Sequence, residues 1–198
     1  MNVLGTVLVT GSPGAGKRSL LEAFERGRWS DGRRCSQVRW DERLRSLEVE
    51  AGREVTVPFF GGAQRLIVLL RTAWAEGPGG VREAEIASAT GLIFVADPRP
   101  ERYEQTLRAW WEVCSARKPH QPLILAVNVR DGHSLGARAP RPAVARFDVD
   151  ASTGEGVVPC LRAALWEVRR ALHRRGDPCP QGFGYFGWEP RSLGTLSA

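Results

Sequence analysis

Apolar residues come in short runs along this chain, and amphipathic stretches separate them. Val3–Thr10 is apolar and β-branched and ends in a glycine-rich turn, which predicts a buried strand. Lys17–Arg26 puts Leu20, Leu21 and Phe24 on one face of a helix. Asp31–Leu47 is polar and irregular, with Trp40 its main anchor. Val55–Phe60 and Arg65–Thr72 read as strands, and Gly61, Gly62 and Ala63 between them as a turn, so an antiparallel hairpin is expected. Glu76–Gly80 reads as a flexible loop and Val81–Ala89 as a short helix. Gly91–Asp97 is a third central strand. Glu101–Arg117 is a helix with Tyr103, Leu107, Trp110, Trp111 and Cys114 on one side. Pro122–Asn128 and Ala145–Asp150 complete the strands, and Val157–His173 is a final amphipathic helix.

Strands that alternate with helices predict an α/β fold: a mostly parallel central sheet, one antiparallel hairpin strand, and helices on both faces. This domain is expected over residues 1–175. Residues 176–198 form a tail rich in Gly, Pro and aromatics, suited to packing back or to recognising a partner.

Composition narrows the function classes. A length of 198 residues suits one α/β domain, and 42% hydrophobic with 25% charged residues is ordinary for a soluble globular protein. No apolar run approaches the roughly 20 residues that span a bilayer. Met1–Thr10 lacks a basic signal region, and the C-terminus lacks a prenylation motif, so a cytoplasmic protein without a membrane anchor is expected. Cys35, Cys114, Cys160 and Cys179 are scattered with no C-x-x-C pair, which argues against disulfides or zinc. The net charge is +6, but the basic residues are nearly all arginine and spread along the chain, so no nucleic-acid surface is expected.

One motif carries chemistry. Gly11-Ser12-Pro13-Gly14-Ala15-Gly16-Lys17 matches G-x-x-x-x-G-K, directly after a strand and opening a helix. Glycines let backbone N–H groups turn around a phosphate, the helix N-terminus adds partial positive charge, and Lys17 adds a full one.

The order of elements around this P-loop resembles the Ras-like small GTPases. Within them the chain looks most like the bacterial MglA-type gliding-motility branch, through GLIFVADPRP followed by a helix and then PLILAVNVRD. The resemblance spans roughly Val3–His173 and weakens between Asp31 and Glu54. It implies a Ras-like P-loop fold that binds GTP or GDP. It assigns the phosphates to Gly11, Gly14, Ala15, Gly16, Lys17, Arg18 and Ser19, and the guanine base to Asn128, Asp131, Ala151 and Ser152. Ala151 would offer its backbone N–H to the base oxygen.

Several family residues are replaced. The hydroxyl that ligates Mg²⁺ falls on Arg18, and Ser19 is one position late. The Asp-x-x-Gly motif falls on Arg71-Thr72-Ala73-Trp74, and the water-orienting Gln on Ala75. No Thr lies between Asp31 and Arg53 to serve as a switch residue. In the guanine motif the stacking Lys is Val129. The helix usual before the last strand is expected to be shortened, because Gly132–Pro142 has no helical period. Arg18 and Arg71 aimed at the metal site would repel Mg²⁺, so no tightly held metal is expected.

Three readings follow from this pattern. The favoured one is a pseudo-GTPase, or a very slow GTPase, that acts through a protein partner. An active GTPase switch is the alternative, and an ATP-dependent P-loop kinase a more distant one. Trp74, Trp110, Trp111 and Trp188 are candidate partner-surface residues, with core packing the commoner role for any one of them.

Overall fold

The computed structural model describes residues 2–27, 37–38, 55–61, 64–72, 81–129 and 145–174. The elements run β1 (Asn2–Gly11), α1 (Lys17–Arg26), β2 (Gln37–Val38), β3 (Val55–Gly61), β4 (Gln64–Thr72), α2 (Val81–Ser88), β5 (Gly91–Ala96), α3 (Tyr103–Ala116), β6 (Leu123–Asn128), β7 (Ala145–Val149) and α4 (Val157–Arg174). A single 3-10 turn, Pro100–Arg102, leads into α3.

The strands form one seven-stranded sheet in the order β2-β3-β4-β1-β5-β6-β7. β1 lies in the middle and pairs parallel with both β4 and β5; β5 pairs parallel with β6, and β6 with β7. β3 runs antiparallel to β4, from Val55 opposite Leu70 to Gly61 opposite Gln64. β2 adds a two-residue antiparallel rung on β3, in a stretch whose polar, aperiodic sequence gave no strand signal.

Every residue of β5 and β6 is buried, as their unbroken apolar runs require when helices cover both faces. β7 alternates instead. Phe147 and Val149 turn to the core while Arg146 and Asp148 turn outward, which suits the sheet's edge strand.

Two apolar layers result. On one side Leu20, Leu21 and Phe24 of α1 and Val157, Leu161, Leu165 and Val168 of α4 pack on Val7, Val9, Ile93, Val95 and Ile124. On the other, Ile86 of α2 and Ala109, Trp110 and Val113 of α3 pack on Leu8, Leu92, Phe94, Leu125 and Val127. Each fully buried Leu, Val or Phe contributes about 1.5–3 kcal/mol relative to exposure.

The buried stripe of α3 corrects the sequence reading. Thr106, Ala109, Trp110 and Val113 face the sheet, and Trp110 stacks edge-on against Phe94 with ring centroids 5.1 Å apart. Trp110 is therefore core, not partner surface. Trp111, a 100° rotation further round the helix, is 61% exposed. Trp74 and Trp188 lie outside the described residues.

Candidate functional site

The carboxyl ends of β1 and β5 lie side by side at the point where the chain's crossovers change sides of the sheet. The chain leaves β1 for α1 on one side of the sheet and leaves β5 for α3 on the other, the arrangement at which open α/β sheets take ligands.

The glycine-rich loop follows β1 at this point. Gly11 ends β1 with φ 143°, and a Cβ there would collide with the carbonyl oxygen of Val95 on β5. Only glycine lets the two strands meet at this height. Gly14 has φ 75° with nothing within 4 Å of where a Cβ would stand, so the loop's crest faces open space. The loop closes on itself through Ala15 N–H to Ser12 O at 3.2 Å.

Gly16 is the left-handed residue before α1. It supplies no side-chain cap, and no acidic residue sits in the first turn. The first α-helical bond is Leu20 N–H to Gly16 O at 2.9 Å, so the N–H groups of Lys17, Arg18 and Ser19 precede the helical ladder. Lys17 folds back over the loop, and its Nζ donates to Gly11 O at 3.0 Å and Ser12 O at 2.9 Å. A cation, three leading helical N–H groups and a glycine crest therefore belong to one short loop, a donor set whose chemistry suits an oxyanion.

Arg18 does not join them through its side chain. Its guanidinium is 82% exposed and pairs with Glu22 one turn along α1 at 3.2 Å. The expectation that it would reach the phosphates or repel a metal is corrected: at i, i+4 the nearer charge partner lies on its own helix. Ser19 is half-buried in the same turn.

Asn128 ends β6 and is buried between two loops. Its Nδ2 donates to Ala15 O at 2.9 Å, and its Oδ1 accepts from Ala151 N–H at 3.3 Å. The side chain thus ties the glycine-rich loop to the loop between β7 and α4. The Ala151 N–H, expected to meet the base, turns to Asn128 here, and its carbonyl accepts from Arg26 Nη2 at 3.1 Å. Ala151 is buried, with both backbone groups taken by protein.

The next residues fold around Asp150. Its carboxylate accepts from Ser152 Oγ at 2.5 Å, Ser152 N–H at 2.7 Å and Thr153 N–H at 3.2 Å. These bonds, the Ser152 hydroxyl first, lower its pKa to about 2. Ser152 is exposed, and its hydroxyl and N–H are both turned to Asp150.

On the β5 side, Asp97 is buried and held by Arg99, with Nη2 to Oδ2 at 2.6 Å and Nε to Oδ1 at 3.0 Å. The Arg99 N–H also donates to Asp97 Oδ1 at 3.2 Å. This pair fixes the turn into α3. Neither it nor Arg26 had a signal in sequence, because each acts through a contact that only the assembled sheet creates.

Asp131, Trp74 and Ala75 lie outside the described residues, as does the expected shortened helix at 132–142. Arg71 is placed by its backbone alone, opposite Leu8 in the β1–β4 ladder. Among the described residues no group of three metal-binding side chains occurs, and no helix is long and apolar enough to cross a membrane. Cys160 is buried, and burial pushes its thiol up to about 12; Cys114 is half-buried and also raised. Neither thiol is activated. No protein-family model and no curated protein matches this chain.

Proposed function

We propose that this chain is a Ras-like, MglA-like nucleotide-binding protein with degenerate metal and switch motifs, and that it works as a pseudo-GTPase, or a very slow GTPase, through protein contacts in the cytoplasm. The observation that carries the reading is Lys17 folded over the loop onto Gly11 O and Ser12 O, ahead of a helix start that no side chain caps. An incoming phosphate exchanges two neutral carbonyl acceptors for charged oxygens, and charge-assisted bonds are roughly twice as strong as neutral ones.

Two further features support it. The strand order puts β1 at the centre with an antiparallel β3 beyond β4, an order that agrees with a Ras-like domain. Asn128 joins the phosphate loop to the 150–156 loop, where a base-recognising strand end belongs. Guanine would be selected by Asp131, whose carboxylate accepts from N1–H and the exocyclic amine.

Slow hydrolysis follows from what the sequence lacks. Phosphoryl transfer needs Mg²⁺ across the β- and γ-phosphates and an oriented water. Position 18 has no hydroxyl, and Ala75 stands where a Gln would orient the water. Metal independence now rests on this missing ligand, since the Arg18 guanidinium points to solvent.

The test is to purify the protein, denature it and identify any released nucleotide, then titrate GDP and ADP by calorimetry. GDP preferred over ADP, with the preference eroded by Asp131→Asn, supports the reading. Equal binding of both nucleotides moves the assignment to an ATP-type P-loop protein, and no binding of either removes it.

A further inference from the structure

Under the nucleotide reading proposed above, residues 11–17 would receive the phosphates and residues 150–156 the base. The backbone donors of these two loops are disposed differently. In the first, the N–H groups of Lys17, Arg18 and Ser19 precede the helical ladder of α1. In the second, five consecutive N–H groups are bonded within the chain. Ala151 N–H donates to Asn128 Oδ1 at 3.3 Å, Ser152 N–H to Asp150 Oδ1 at 2.7 Å, and Thr153 N–H to the same oxygen at 3.2 Å. Gly154 N–H donates to Asp150 O at 2.8 Å, and Glu155 N–H to Thr153 Oγ1 at 3.3 Å. The Ser152 hydroxyl is turned to Asp150 as well.

The second loop is fixed from three sides. Gly156, with φ 68°, lies against β7, where a Cβ would collide with the Asp148 carbonyl oxygen. The Ala151 carbonyl is held by Arg26 Nη2 at 3.1 Å, and Ala151 itself is buried. Asn128 is buried too, and its Nδ2 is bonded to Ala15 O at 2.9 Å. Turning the Ala151 N–H outward would leave Asn128 Oδ1 a buried acceptor without this donor. An orphaned buried group costs more than one ordinary hydrogen bond returns.

We propose that this loop does not read the 6-position of a purine base, so that the ligand class is set by the phosphates and by the other edge of the base. The inference rests on the nucleotide reading. Guanine carries an acceptor oxygen at position 6 and adenine a donor amine, so a backbone N–H aimed there would favour guanine. The Ras-like resemblance implies such a donor at Ala151, but that N–H stays on Asn128. Recognition of guanine then falls to the acceptor proposed above for its N1–H and exocyclic amine. Guanine nucleotides altered at position 6 alone belong to the same ligand class as GDP.

Calorimetric titration of the full wild-type chain with GDP, 6-thio-GDP and ADP tests this. The thio analogue keeps N1–H and the exocyclic amine and replaces the oxygen by sulfur, a weak acceptor. It is expected to bind within threefold of GDP, and the Ala151 amide resonance of nitrogen-labelled protein is expected to coincide in the two complexes. A larger loss with 6-thio-GDP overturns the proposal, and so does an Ala151 resonance that moves between the complexes. Equal binding of all three nucleotides keeps the inference and overturns the guanine preference of the parent reading. No binding of any of them overturns both.

Discussion

Two loops on the carboxyl edge lead from a strand into a helix on the same side of the sheet: residues 11–17 into α1 and residues 150–156 into α4. The second satisfies itself. Asp150 collects the N–H groups of Ser152 and Thr153, and its own backbone bonds Gly154 N–H and Glu155 O at 2.8 and 2.9 Å. The first does not. It has a lysine in place of a carboxylate, a crest of glycine, and a helix start without a cap. A loop that supplies its own anion closes on itself, whereas one that brings a lysine and uncapped N–H groups without a carboxylate leaves the anion to come from outside, as the proposed function requires. Asn128 stands between them and belongs to both.

Removing that link is the most damaging way to break the comparison. Asn128→Ala leaves the Ala15 carbonyl and the Ala151 N–H without their partner, and each orphaned buried group costs about 1–3 kcal/mol. The expected outcome is a loss of about 2–4 kcal/mol in urea unfolding at neutral pH. A loss below half a kilocalorie would mean that the two loops hold their positions independently.

Lys17→Ala attacks the open loop alone. Nucleotide affinity should fall at least tenfold by calorimetry, while the unfolding midpoint barely moves because the lysine bonds to loop carbonyls at a part-buried site. Unchanged affinity would sink the phosphate-loop assignment.

A smaller effect is expected of Arg18→Ala. The guanidinium is exposed and paired along its own helix, and such pairs contribute about 0–1 kcal/mol. GDP affinity should stay within twofold, and chelation by EDTA should lower affinity less than tenfold in both proteins. A larger loss on chelation would show a metal ligand that the site residues named above do not supply.

The smallest effect separates the closed loop by pH. The folded pKa of Asp150 lies below its ordinary value, so its carboxylate stabilises the loop above about pH 4. That contribution fades as pH falls through about 2. The wild type should lose stability across this window more steeply than Asp150→Asn, when urea midpoints of the two are followed from neutral to strongly acid pH. Parallel curves would show that the Asp150 bonds are not formed in solution.

The amino-acid sequence alone determined most of the frame. Unbroken apolar runs marked β1, β5 and β6 as strands of a covered sheet, and the G-x-x-x-x-G-K spacing placed a glycine-rich turn at the end of β1 and the start of α1 at Lys17. Periodicity and glycine chemistry are local, so they can be read without the fold. It could not decide which of two adjacent tryptophans on α3 goes inside, because one residue is only 100° of helix and the choice belongs to Phe94 across the layer. Nor could it say that Arg18 turns to Glu22, that Ala151 spends its N–H on Asn128, or that Arg26 reaches the Ala151 carbonyl across 125 positions of chain. Those outcomes depend on which donors and acceptors the closed sheet brings within bonding distance, and sequence separation carries no information about that distance.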